Sequence, residues 1–268
     1  SNNNVKLPDM PAEIEDLVIP VGSKDPASAT EEVFLACNLD KRTPVIPPGA
    51  TEQDIIEGTW TTTFEIFDSF GATHQLQIEF VKDQDLPNRW LATVTVDPDA
   101  EEPSNTLAEV GADNTDTNTF IINYNNDGTL ASVEDEAGDI IDTENLQVQV
   151  GFDVPEATIP PGEEAVRQTF NLNVGQVGAF VDSMTQYASE SSTKVFEQDG
   201  YGMGYLETFR IDQAGVITGV YSNGTNRALG QIALGTFTNP GGLEKSGENN
   251  YVVTINSGAA DIGPSGIA

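Results

Sequence analysis

Apolar residues recur at every second position in run after run of this chain, and that period constrains its fold more than any other feature. "THQLQIEFV" sets His74, Leu76, Ile78 and Phe80 on one face, with Gln75, Gln77 and Glu79 opposite. "WLATVTV" aligns Trp90, Ala92, Val94 and Val96, and "NLQVQVGF" aligns Leu146, Val148, Val150 and Phe152. "TFNLNV" does the same with Phe170, Leu172 and Val174, and "YVVTIN" with Tyr251, Val253 and Ile255. A period of two is that of the β-strand, whose alternate side chains meet one packed layer. Turn signals separate the runs: "DSFG" (68–71), "NNDG" (125–128), "QAGV" (213–216), "SNG" (222–224) and "NPGG" (239–242). Many short strands with such punctuation predict an all-β fold of sandwich or barrel type. One stretch departs from the pattern: Val177, Phe180, Val181 and Met184 recur at helix spacing.

At 268 residues the chain can form one large or two ordinary domains. Residues 97–118, acidic and broken by Pro and Gly, read as a long exposed loop or edge excursion, and 154–165 as a second connector. Eleven Lys and Arg stand against 43 Asp and Glu, a net charge of −32. That field repels phosphate backbones and anionic lipid, so neither nucleic acid nor a membrane surface is expected as a partner. The charge solvates an outward surface. No apolar run reaches the ~18–20 residues that span a bilayer. The polar start, "SNNNVKLPDMPAEIED", has no signal-peptide core; lacking an initiator Met, it reads as the start of an excised fragment.

Few residues offer chemistry. His74 is the only histidine, on the apolar face of a strand, where a hydrogen-bonded structural role is expected. "NYNNDGTLASVE" places Asn123, Asn125, Asp127, Gly128 and Glu134 at positions 1, 3, 5, 6 and 12 of a calcium loop. Its first ligand is Asn where that motif wants Asp, and no helix pattern precedes it. A hairpin turn through Asn126-Asp127-Gly128 explains the same letters. "NGT" at 223–225 matches a glycosylation acceptor and reads equally as a Gly turn. Paired carboxylates are too common here to single out a glycosidase. One cysteine excludes a disulfide scaffold and any multi-cysteine metal site, and neither a metal nor a cofactor is expected.

The last third carries a long ordered series: Gly200 to Leu206, Asp212 to Gly224, Leu229 to Leu234 and Asn239 to Leu243. It resembles G-Y-x-x-G-x-L, D-x-x-G-x-I-x-G-x-Y-S-N-G, L-G-Q-I-A-L and N-P-x-G-L of bacterial flagellar hook proteins. "FEIFDSFGATHQLQIEFVK" (64–82) and "FNLNVGQVGAFVDSMTQYAS" (170–189) are similar to the segments that open and close that family's outer domain. The resemblance implies two nested β-sandwich or barrel domains, an inner one from 1–44 with 200–268 and an outer insertion, 45–199. It implies a structural subunit and not an enzyme. Its partners would be copies of itself in a helical tube, with rod and hook-filament junction proteins at the ends. The expected location is the hook, outside the cytoplasmic membrane, and periplasmic if the flagella are of the spirochaete type. Distal rod proteins share the C-terminal series. An alternative from a different class is a secreted carbohydrate- or calcium-binding β-sandwich module.

Cys37 follows from both lines of reasoning. Val33, Leu35, Cys37 and Leu39 share one strand face, which predicts a buried thiol. In hook proteins of the spirochaete type, a Cys-Asn pair in this strand reacts with an upstream Lys of the next subunit, giving a lysinoalanine cross-link. The resemblance thus implies roles for Cys37 as the electrophile's source, Lys24 as nucleophile and Asn38 as an assistant.

Overall fold

The computed structural model describes residues 17–19, 22–100, 106–109, 117–135, 138, 140, 146–155, 159–164 and 166–264. In chain order its elements begin β1 (Lys24–Asp25), β2 (Glu32–Asn38), helix α1 (Glu52–Gly58), β3 (Thr59–Phe67), β4 (Thr73–Lys82) and β5 (Arg89–Val96). Next come β6 (Thr106–Glu109), β7 (Thr119–Tyr124), β8 (Leu130–Glu134), β9 (Gln147–Asp153), β10 (Arg167–Asn173) and β11 (Ser192–Gln198). The last are β12 (Gly204–Ile211), β13 (Val216–Tyr221), β14 (Asn226–Gln231), β15 (Ala233–Thr236), β16 (Glu244–Gly247), β17 (Asn250–Val252) and β18 (Asp261–Pro264). The described residues are thus mostly β, with several sheets and one short α-helix.

Two compact units result: Ser1–Asp25 with Gly204–Ala268, and Pro26–Met203. These limits differ from the 44/45 and 199/200 boundaries that the resemblance implies. Strand β2 lies in the central unit, because both its ladder partners, β10 and β11, lie there.

The central unit has two five-stranded sheets. One, in the order β3-β4-β5-β7-β8, is antiparallel throughout. The other, β11-β2-β10-β9-β6, has a single parallel pair, β2 with β10. The alternation explains the core: Leu76, Ile78 and Phe80 of β4, Trp90, Ala92, Val94 and Val96 of β5, and Val148, Val150 and Phe152 of β9 are all fully buried. Leu35 and Leu172 join them in one cluster drawn from both sheets. Strand β6 comes from the acidic stretch 97–118 and forms a sheet edge on β9; residues 101–105 and 110–116 of that stretch lie outside the described residues.

The unit built from the two ends has a four-stranded antiparallel sheet, β1-β12-β13-β14, and two ribbons, β15 with β18 and β16 with β17. Among its described residues other than glycine, the buried ones are few: Leu206, Ile217, Tyr221, Asp25 and Ser257.

Two sequence expectations are corrected. No helix forms over 177–184; the segment is a loop, with Gly178 at φ 72° and Asp182 at φ 57°, and it buries Met184 while exposing Val177, Phe180 and Val181. In "YVVTIN" the strand ends at Val252, and Tyr251, Val253 and Ile255 are all exposed. Alternation marks a face that another layer can cover, and among the described residues of this unit nothing covers that one.

Candidate functional site

Strand β2 runs in the interior of its sheet, between β11 and β10, so both its edges are hydrogen-bonded. Cys37 stands opposite Thr193 of β11, its side chain in the core with Leu35 and Leu39. Only 5% of the residue is exposed. Burial pushes the thiol's ionisation far up, because no nearby dipole or cation repays the loss of water around a thiolate. Tyr124 is buried too, and its hydroxyl finds no hydrogen-bond partner. Its ionisation is suppressed first by burial and then by the neighbouring Cys37. The Cys37 carbonyl accepts from Thr185 N at 2.8 Å and from Thr185 Oγ1 at 3.4 Å.

Asn38 points the other way from Cys37 along the strand and uses its whole amide. Its Nδ2 donates to Ser189 Oγ at 2.9 Å and to the Ser189 carbonyl at 3.1 Å. Its Oδ1 accepts from Tyr187 N at 2.9 Å and Thr185 Oγ1 at 3.3 Å. The side chain thereby fastens segment 185–190 alongside β2. Lys24 is exposed on β1, paired with Tyr205 in the other unit. The structure therefore brings Cys37 and Asn38 together on one strand and places Lys24 in a separate unit.

Next to Lys24, Asp25 is buried and collects three donors: Arg227 Nε at 2.8 Å, Thr225 Oγ1 at 2.8 Å and Asn223 Nδ2 at 3.3 Å. Asn223 Oδ1 in turn accepts from Thr225 N and Oγ1. The "SNGT" letters thus build a polar knot that ties β13 and β14 to β1. Sequence reasoning missed Asp25, Thr185 and Ser189. Each acts on a residue well over a hundred positions away, and no local spacing signals that.

His74 has the structural role expected of it, with both ring nitrogens engaged. Nδ1 lies 2.7 Å from Asp97 Oδ2 and Nε2 lies 3.1 Å from Asp68 Oδ2. Asp68 Oδ1 accepts from Phe70 N and Ala72 N, which shapes the β3–β4 turn. The calcium-loop letters form a hairpin between β7 and β8. Asp127 Oδ1 accepts from Thr129 N at 3.0 Å and Thr129 Oγ1 at 2.7 Å, while Asn123 donates to Ser132 and Asn125 to Thr129. Those bonds hold the Asp127 carboxyl below its ordinary range, the hydroxyl contributing most. Gly128, at φ 87°, has no room for a Cβ, which would stand 2.5 Å from the Gln186 carbonyl. Among the described residues, no three His, Cys, Asp or Glu side chains group so as to hold a metal ion.

With the geometry in place, similarity to known proteins adds the context. Residues 38–201 match the family model described as "Flagellar basal body protein FlaE D2 domain". "Flagellar hook protein FlgE" of Treponema pallidum is 48% identical over 257 residues, 96% of this chain and 56% of that protein. Its counterpart in Borreliella burgdorferi is 47% identical over 257 residues, 96% of this chain and 54% of its own length. The Helicobacter pylori protein of the same name is 33% identical over 80% of this chain. The chain spans about half the length of the first two relatives.

Proposed function

The chain belongs to the flagellar hook protein FlgE family, and from that premise we propose that it forms the two outer β units of a hook subunit. In this reading the whole protein is a structural element with no substrate. Copies of it stack into the helical tube that passes motor torque to the filament, with rod and junction proteins at the two ends. The unit built from both ends is the inner domain, and Pro26–Met203 is the outer insertion. The observation that carries the reading is the sequence identity extending over 96% of the chain. Relatives from spirochaetes support a periplasmic location. The test is immunogold labelling of isolated flagella with antibody against this chain. Label confined to the short curved segment between rod and filament is expected, and label along the filament or nowhere would reject the assignment.

The finer reading is a covalent bond between neighbouring copies through Cys37 and Lys24. Loss of the Cys37 Cα proton and expulsion of its sulfur as hydrogen sulfide would leave dehydroalanine. The neutral Lys24 amine of the next copy would add to its β-carbon, a proton returning to Cα. The hydrogen bond from Thr185 N to the Cys37 carbonyl supports this, since an enolate-like oxygen develops there on proton loss. Asn38 assists by accepting from Tyr187 N and from the Thr185 hydroxyl, which holds that segment beside the strand. Mass spectrometry of digested hooks should show the 24- and 37-containing peptides joined, at their summed mass less one hydrogen sulfide. Cys37→Ala should abolish the joined peptide, and so should Lys24→Arg, because a guanidinium stays protonated. Hooks of Cys37→Ala that still resist boiling detergent would defeat the idea.

A further inference from the structure

The central unit carries most of the molecule's charge: 33 of the 43 acidic residues and only 6 of the 11 basic ones fall within 26–203. Its basic residues are not scattered. Lys41, Arg42, Lys82 and Arg89 lie where the 40–46 connector meets the end of β4 and the start of β5; Lys82 Nζ donates to the Lys41 carbonyl at 2.7 Å, and Arg42 is paired with Asp40 at 2.7 Å. Beside them the outer face of the first sheet carries an apolar row set by strand register: Val81 of β4 faces Leu91 of β5, which faces Ile121 of β7. Ile46 closes one side, leaving a groove of about 350 Å³ with Lys82, Asp83 and Arg89 on its border. Arg89 Nε is shut off from solvent without a hydrogen-bond acceptor and forms only a long ion pair, 3.8 Å, with Asp83, while the Arg89 side chain as a whole stays 28% exposed.

A second apolar feature has the opposite charge. The loop after β10 exposes Phe180 to 66% and Val181 to 73%, with Val177 beside them. Asp182 and Glu197 line the hollow next to it, and among the described residues no basic side chain does. Large apolar side chains left this open on a strongly charged surface mark a contact site.

We propose that the Phe180–Val181–Asp182 knuckle of one copy seats in the Ile46–Val81–Leu91–Ile121 groove of a second copy, with Asp182 against Arg89. Apolar meets apolar, and the acidic border of the knuckle meets the basic border of the groove. Like charge would otherwise hold two such acidic units apart, so this corner is where a second copy can approach. The two surfaces differ, so the contact is head-to-tail and propagates from copy to copy. A single knuckle is small, so each contact is weak and gains strength by repetition. The contact rests on the self-assembling reading above for its role, and the experiment separates the two.

The test replaces Phe180 with photoreactive benzoylphenylalanine in a mixture of isotope-labelled and unlabelled chain, concentrated to ~1 mM to populate a weak contact. Irradiation should join position 180 of one isotope form to the 81–91 peptide of the other. Leu91→Asp should cut the yield by ~10-fold or more. Arg89→Glu should cut it several-fold, and adding Asp182→Lys to the Arg89→Glu chain should restore it. Capture at other peptides, no capture between copies, or full yield from folded Leu91→Asp would each overturn the contact. Whether the contact is used in a hook is read separately, by the same photochemistry on isolated flagella. Capture in solution together with unlabelled hooks would keep the contact and reject the hook.

Discussion

At the scale of single residues, the buried Cys37 makes its own prediction. A thiol whose ionisation is suppressed by folding contributes stability below the unfolded thiol's pKa and loses it as pH rises above that value. Tyr124 acts in the same direction from a higher starting point. Unfolding free energy should therefore be flat to about pH 8.5, then fall with a slope approaching ~1.4 kcal/mol per pH unit for each such group. Cys37→Ala should cost ~1 kcal/mol at pH 7 through the lost sulfur and remove the first part of that slope. Urea unfolding at pH 7, 9 and 10 measures both effects, and an unchanged slope in the variant would show that Cys37 is not its source. Gly128→Ala tests a different constraint. Positive φ and a Cβ forced against the Gln186 carbonyl should together cost ~2–3 kcal/mol. Gly138→Ala, with φ 89° but open space around its Cβ position, should cost ~1 kcal/mol.

Several strands with one buried face were legible in the sequence. Periodicity located β4, β5, β9 and β10 because the covering layer turns alternation into burial. It failed at 177–184, where four apolar residues met the helix spacing but Gly178 and Asp182 take backbone angles no helix allows. Burial of Cys37 was legible for the same reason as the strands, whereas the fastening role of Asn38 was not. Its partners at 185–190 arrive from the far end of the unit, and only the tertiary fold selects them. The groove was equally hidden, since its walls come from four separate segments. The junction of β3, β4 and β5 can be tested through His74. Replacing it with Leu removes the bridge and leaves Asp68 and Asp97 facing each other across an apolar side chain, at ~3 kcal/mol or more. Thermal melts should show that loss, while Gln77→Ala on the opposite face should move stability by less than ~0.5 kcal/mol.

For the molecule as a whole, charge opposes compactness. With −32 on 268 residues, most of it in the central unit, self-repulsion is long-ranged at low salt. Raising ionic strength from ~10 mM to ~150 mM shortens the screening length from about 30 Å to about 8 Å. The melting temperature should rise over that range and then level off. A melting temperature that falls with salt would mean that attractive ion pairs outweigh the repulsion. Apart from the buried His74–Asp68 bridge, the ion pairs in the described residues, such as Arg42 with Asp40 and Arg167 with Asp153, lie at least partly open to water and are too few to reverse the sign.

The pairing of β2 with strands far down the chain also sets an order of events in time. The meander β3-β4-β5-β7-β8 joins strands that are neighbours or near neighbours in the chain, so it can zip up locally. Strand β2 must wait for β10, from residue 167, and β11, from residue 192, each more than 130 positions downstream. Closing loops that long is slow, so β2 is among the last strands to be captured. Until then its sulfur stands open to solvent. A maleimide pulse during refolding would read that moment directly, and the instant at which Cys37 stops reacting marks the closing of the second sheet.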